Sequence, residues 1–241
     1  MVYVIADIHG SLQSLQERIR LMPMLTEDDY IIIAGDAGLM YGDYNMGSVK
    51  KFMKKLKCKF IIIRGNHDNR YHDYARQNPD TWMFSDDGMY AWENKYPNIL
   101  YVKDGGGVYS IGGNSILFIP GAYSVDKPYR LARGLPFETR EELTIDEADN
   151  LLEEAEQVRF DYVVSHTCPY FLLPKLQYLF LDYVDQSKVS YWTEKICQAV
   201  YDNIGGNYKA WYFGHFHDDR YFEEENLTMV YNSFEVITGD E

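Results

Sequence analysis

Residues 59–68 read KFIIIRGNHD. Phe60 to Ile63 form a short, β-branched apolar run, the composition of a strand buried on both faces. The run stops at a glycine, and Asn66, His67 and Asp68 follow at once. The same pattern recurs along the chain. VYVIAD ends on Asp7, with His9 two positions on; YIIIAGD ends on Asp36; DYVVSH ends on His166; KAWYFGH ends on His215, with His217 beyond it. SILFIPG, residues 115–121, is a further strand of this kind.

Helical patterns separate several of these strands. Ser11 to Met22 places Leu12, Leu15 and Ile19 on one face, with Ser11 as the cap. Ser48 to Lys59 places Val49, Phe52, Met53 and Leu56 at helical spacing, and Ser187 to Ile204 is another long candidate. Thr144 precedes IDEADNLLEEAEQV with Glu147 three residues on, the spacing of a capping box. Strands alternating with helices imply right-handed βαβ units. Residues 104–121, with the glycines of DGGG and GGN, read instead as antiparallel hairpin, and the tail RYFEEENLTMVYNSFEVI as strand, turn and strand. The sheet system is therefore mixed α/β. With no linker or repeat in sight, residues 1–241 read as one domain.

Composition narrows the function. The net charge of −14 disfavours an extended nucleic-acid footprint, although bound cations could make one site locally positive. No apolar run approaches the ~20 residues of a membrane span. MVYVIADIHG has neither a basic leader nor a small-residue cleavage site. Cys58, Cys168 and Cys197 are odd in number and far apart, which suits reduced thiols and a cytoplasmic protein.

The chemistry sits at the strand ends. In an open α/β sheet, ligands bind beyond the carboxyl ends of the strands, and here five strands deliver Asp, Asn and His to that edge. Imidazole suits iron or zinc; carboxylate and amide oxygens suit manganese or magnesium. No cysteine lies in these blocks, so a thiolate zinc site is disfavoured. A carboxylate such as Asp36 can bridge two cations, and paired metals roughly 3.5–4 Å apart can clamp an in-line displacement at phosphorus.

The ordered blocks DIHG at Asp7, GD at Asp36, GNHD at Asn66, SH at His166 and GHFH at His215 resemble the calcineurin-like metallophosphoesterases. All five appear in order over nearly the whole chain. The resemblance implies a four-layer αββα sandwich and two divalent ions, with manganese foremost and iron, zinc or magnesium as alternatives. It implies a first metal on Asp7, His9, Asp36 and His217, and a second on Asp36, Asn66, His166 and His215. His67 would stand beside the leaving group, with Asp68 holding it. A narrower likeness of GAYSVDKPYRLARG to small bacterial and phage metallophosphoesterases implies a loop that brings Arg130, and with it Arg133, to the phosphate.

The implied reaction is hydrolysis of a small phosphodiester or nucleotide-like ester by attack of a metal-bridging hydroxide. A serine/threonine protein phosphatase or a phosphomonoesterase is the alternative, but AGLMYGDY after Asp36 lacks the aspartate–arginine pair of the protein phosphatases, and Asp43 has no assigned role. A non-catalytic scaffold would have lost ligands, and none is missing; a DNA-repair nuclease fits poorly with the acidic balance. Elsewhere plainer readings are preferred: His72 exposed, Cys168 in packing, the lysines at 50, 51, 54, 55, 57 and 59 mostly on a solvated helix face, Gly105 to Gly107 in a hairpin turn, and the aromatics mostly in the core.

Overall fold

The computed structural model describes residues 1–41 and 44–237; Asp43 lies outside the described residues. The strands are β1 Val2–Ile5, β2 Tyr30–Ala34, β3 Met40–Tyr41, β4 Tyr44–Asn45, β5 Lys59–Ile63, β6 Trp82–Phe84, β7 Tyr90–Glu93 and β8 Ile99–Val102, then β9 Gly107–Ile111, β10 Asn114–Ile119, β11 Tyr162–Ser165, β12 Ala210–Phe213, β13 Arg220–Phe222, β14 Leu227–Met229 and β15 Glu235–Ile237. The α-helices are α1 Leu12–Leu21, α2 Gly47–Met53, α3 Tyr71–Gln77, α4 Lys127–Arg133, α5 Ile145–Gln157 and α6 Trp192–Ile204.

All six apolar runs are strands, but they divide between two sheets. One has the order β15-β1-β2-β5-β8-β7-β6, with β1, β2, β5 and β8 mutually parallel. The other has the order β13-β14-β12-β11-β10-β9, with β10, β11, β12 and β14 parallel. Successive side chains on a strand face opposite ways, and the core divides on that rule. Val2 and Val4 of β1, Ile32 of β2 and Ile61 of β5 pack between the sheets against Ile116, Phe118, Tyr162 and Val164. Tyr3, Ile5, Ile33 and Ile62 turn outward onto Leu15 of α1, Val49 and Met53 of α2 and Ala75 of α3. On the far side Leu117, Val163, Trp211 and Phe213 meet Ala148 and Leu151 of α5 and Ile196 and Val200 of α6. Each central strand is apolar on both faces because each face meets another layer, and the result is an αββα sandwich.

The caps expected at two helices form. Ser11 Oγ accepts from Ser14 N at 3.1 Å, and Thr144 and Glu147 bond reciprocally at 2.9 and 3.3 Å. Other boundaries differ. The 48–59 helix ends at Met53, where the Asn98 side-chain amide donates to the Met53 and Cys58 carbonyls and turns the chain into β5. The 187–204 helix begins only at Trp192, because Ser190 takes the Trp192 amide and itself donates to Glu142. Residues 127–133, expected as a loop, are helical: Pro128 suits the first turn and Gly134, at φ 62°, ends it.

Two burial expectations are overturned. His72 is buried on the inner face of α3, its Nε2 3.1 Å from the Tyr101 carbonyl. Lys50 leaves the solvated lysine face, is fully buried and pairs with Glu93. Gly105 to Gly107 do not close a hairpin; they carry the chain from β8 in one sheet to β9 in the other. The antiparallel hairpin of this region is β9–β10, across Gly112 and Gly113. Cys168 is packed in the core as expected.

Candidate metal centre

The carboxyl ends of β1, β2 and β5 from one sheet face those of β11 and β12 from the other, and the polar blocks meet in the gap. Backbone bonds join the two turns that follow β1 and β2: Asp7 N to Gly35 O at 3.1 Å, His9 N to Asp36 O at 2.9 Å and Gly10 N to Ala37 O at 2.8 Å. His166 crosses between the sheets, its Nδ1 3.0 Å from the Ala34 carbonyl. The His215 amide donates to Asp7 Oδ2 at 2.9 Å.

The backbone here is held in an uncommon conformation. Asp7, His9, Asp36, His215 and His217 all have φ between 47° and 73°, and among the described residues only Asn226 joins them as a non-glycine at positive φ. Such residues carry a conformational cost of roughly 1–3 kcal/mol each and concentrate at functional sites. The glycines in the motifs serve close approach. A Cβ on Gly65 would lie 2.1 Å from Asp36 Oδ1 and 2.7 Å from His166 Nε2, and one on Gly214 would lie 2.3 Å from Asp7 Oδ2.

At His166 an acceptor faces acceptors. A carbonyl only accepts, so His166 Nδ1 is the donor to Ala34 and the neutral ring leaves Nε2 bare. That nitrogen lies 2.9 Å from Asn66 Oδ1 and 3.4 Å from Asp36 Oδ1. Asn66 Nδ2 donates to Ser124 Oγ at 2.9 Å, which turns Oδ1 toward both His166 and, at 3.0 Å, His215 Nδ1. On the other side His9 Nε2 and His217 Nε2 are 2.9 Å apart. Asp7 Oδ1 is buried without a hydrogen-bond partner, with His217 Nε2 at 3.6 Å, too far for a bond. Asp7, His9 and His217 form one group able to hold a cation; Asp7, Asp36 and His166 form another.

Titration follows the same logic. Burial pushes Asp36 up to about 8, with the charges of Asp7 and Asp68 adding to the shift. Burial also pushes Asp7 up, but the imidazoles of His217, His166 and His9 hold it low overall. Burial lowers His9 to about 4 and depresses His166 and His215, so their rings are neutral at pH 7. Neutral imidazoles and crowded carboxylates with an orphaned oxygen are a donor set suited to divalent cations and unfavourable without them.

His67 stands at the edge, its ring centroid 5.6 Å from that of His9 and 5.3 Å from that of Tyr41. Asp68 does not bond to it. Its carboxylate accepts from the amides of Ala37 at 3.2 Å, Gly38 at 2.8 Å and Gly65 at 2.9 Å, tying the turn after β2 to the turn after β5. Arg130 is braced outside the donor cluster: Nε donates to Asp126 Oδ2 at 2.6 Å, and the guanidinium lies 5.3 Å from the Tyr41 ring centroid. Arg133 lies over Tyr129.

A sequence-family comparison matches residues 1–219 to the calcineurin-like phosphoesterases. The chain belongs to the calcineurin-like phosphoesterase family. It is thereby a metal-dependent phosphoric ester hydrolase with the mixed, two-sheet fold of that family. No curated protein matches the sequence. Among solved structures, a phosphopantetheinyl hydrolase from Mycobacterium tuberculosis shares the fold at a TM-score of 0.50 and 13% identity, over 96% of this chain and 89% of that one. A protein of unknown function from Aquifex aeolicus aligns at a TM-score of 0.45 and 13% identity, over 97% of this chain and 89% of that one.

Several residues beside this cluster are not in the blocks. Tyr231 stacks on His217 at 4.9 Å and 18°, beneath Arg18, and Asp219 accepts the amides of Tyr231 and Asn232 that hold the stack in place. Ser124 fixes the Asn66 amide. A cleft of about 390 Å³ opens from Asp36, Asn66, His67, His215 and His217 toward residues 173–194, with Glu194 in its wall. The aromatic clustering after His166 was the signal for this wall; nothing local marked Tyr231, which arrives from the chain's last strand region.

Proposed function

We propose a binuclear phosphoesterase, with one ion held by Asp7, His9, Asp36 and His217 and the second by Asp36, Asn66, His166 and His215. The observation that carries this reading is acceptor facing acceptor: His166 Nε2, bare because Nδ1 donates to the Ala34 carbonyl, lies 2.9 Å from Asn66 Oδ1 and 3.4 Å from Asp36 Oδ1. When bound, two divalent ions, manganese foremost, would supply Lewis acidity toward the phosphoryl oxygens and a water of lowered pKa. The chain's own residues do the rest. His67 donates a proton to the departing oxygen. Asp68 positions His67 through the backbone, since it fixes the turns on either side. Arg130 meets the phosphate from the rim after exchanging its Asp126 partner.

The substrate we propose is a small phosphodiester or nucleotide-like ester; a phosphomonoester or phosphoprotein is the alternative. The aromatic-walled cleft supports a small ester, with tyrosines available to stack on a base. Three buried free thiols support a reducing, cytoplasmic location, and interlocking of the two sheets supports one domain over the whole chain. No helix among the described residues is long and apolar enough to cross a membrane. The test is metal content per chain, together with kcat/KM for bis-nitrophenyl phosphate, nitrophenyl phosphate, a cyclic nucleotide and a phosphoserine peptide with added manganese. Two ions per chain and a diester preference are expected. Full activity with a single ion overturns the binuclear centre, and a peptide preferred by more than about tenfold, a difference of ~1.4 kcal/mol, overturns the substrate class.

A further inference from the structure

The cleft that opens from the donor cluster is walled mostly by apolar and aromatic side chains, among them Leu173, Leu179, Phe180, Val184, Tyr191 and Phe216. Among the described residues, no lysine or arginine lines it. A second phosphate or any other anionic group on the substrate would enter it without a counter-charge, at the cost that attends an unpaired charge in an apolar site. The cleft therefore suits a leaving group that is apolar and carries no further negative charge.

Asp126, Gln186, Ser190 and Glu194 break this wall; Asp126 is paired with Arg130, Gln186 accepts from the Tyr191 hydroxyl and Ser190 donates to Glu142. Glu194, in the first turn of α6, is 3% exposed and lines the cleft. Its Oε1 accepts from the Thr167 hydroxyl at 2.8 Å, and its Oε2 is buried without any hydrogen-bond partner. Glu142, the neighbouring carboxylate, is taken up by the Ser190 hydroxyl at 3.0 Å and offers Glu194 nothing. A buried acceptor left unmet is costly, and a donor on a bound ligand is one group that can meet it.

We propose that this cleft holds the leaving group of the substrate, an aromatic or branched apolar alcohol that bears a hydrogen-bond donor for Glu194 Oε2 and no second anionic group. This rests on the phosphoesterase reading above and deepens it: a nucleoside-like or aryl ester fits, and a nucleoside diphosphate does not.

Three matched aryl phosphates test the assignment: 4-(2-aminoethyl)phenyl, 4-propylphenyl and 4-(2-carboxyethyl)phenyl phosphate, which share a phenol leaving group and differ at its far end. The expected order of kcat/KM is amine, then propyl, then carboxylate. The amine should exceed propyl by roughly tenfold to a hundredfold, the range of a hydrogen bond to a charged partner. The ratio should collapse in Glu194→Leu and be partly restored in Glu194→Gln, which keeps an acceptor oxygen. Calorimetric binding of the free phenols to the metal-loaded protein gives a second readout, with tyramine bound more tightly than 4-propylphenol. Equal kcat/KM for all three esters, or a ratio unmoved in Glu194→Leu, overturns the proposal and leaves Glu194 as a helix-end residue. Turnover of neither these esters nor bis-nitrophenyl phosphate under any metal overturns the phosphoesterase reading instead, and the phenol-binding comparison then still decides the cleft. If Glu194→Leu does not fold, the wild-type ratio and the Gln variant decide it.

Discussion

His67 and Asp68 are neighbours in one motif with separate work. The His67 ring is at the edge of the donor cluster and bonds to no other motif side chain, while its backbone amide donates to Asp36 Oδ1 at 2.7 Å, so we place the ring in proton transfer. His67→Ala should lower kcat by ~10²–10⁴-fold with metal content intact, and less so for a leaving group as good as nitrophenolate; loss of metal from the variant would make His67 a ligand. Arg130→Ala should chiefly raise KM, and unchanged kinetics in a folded variant would leave the arginine as a brace between Asp126 and Tyr41. Glu194 yields a stability prediction independent of catalysis. Burial pushes it from its ordinary value of 4.5 up to about 7. A raised carboxyl binds its proton more tightly in the folded state, so stability is retained below the unfolded value and lost as pH rises to the folded one. Between those values the wild type should lose roughly 3 kcal/mol that Glu194→Gln keeps, read by denaturant unfolding at both ends of the window. A constant difference between the two proteins would mean that Glu194 is solvated. The motif residues were readable because the block order is specific. Glu194 was not, because a glutamate in a helical first turn is ordinary until a cavity is seen beside it.

The elements of the fold are strands that end in a glycine and a polar residue. The six apolar runs were legible as strands, since β-branched composition and length arise locally. Helix ends were less so. The helix from Gly47 stops at Met53 because Asn98, forty-five positions on, takes its carbonyl; no local pattern contains that information. His72 and Lys50 were misplaced for the same reason, as each is buried by a partner in a distant strand, Tyr101 and Glu93. The glycines at the strand ends are a packing requirement at this scale. Gly65→Ala should push Asp36 and His166 apart, since the added carbon would stand 2.1 Å from Asp36 Oδ1. We expect loss of bound metal and of activity together with an overpacking cost of roughly 1–3 kcal/mol. A variant with wild-type metal content would show that the turn can give way.

At the scale of the whole molecule, the centre is where two sheets meet, so metal binding and folding are coupled. The apoprotein carries a buried orphan oxygen on Asp7 and a carboxyl on Asp36 pushed up to about 8. Each bound ion should raise stability by about 2.7 kcal/mol at a hundredfold excess over its dissociation constant. Adding manganese to chelated protein should therefore raise Tm by roughly 5–10 °C for each ion bound; an unchanged Tm would separate the cluster from metal binding. By itself the sequence determined the six apolar central strands, the mixed α/β class and the identity of the polar residues at the strand ends, because composition and motif spacing are local properties of the chain. Only the tertiary structure decided that Asp7, Asp36 and Asn66 come from one sheet and His166 and His215 from another, that Asp68 ties two turns together rather than gripping His67, and that Tyr231 stacks on His217. Those relations are made by alternate faces of two sheets packing across a shared core and by bonds between residues as far as 208 positions apart. No stretch of sequence encodes such contacts until the layers close.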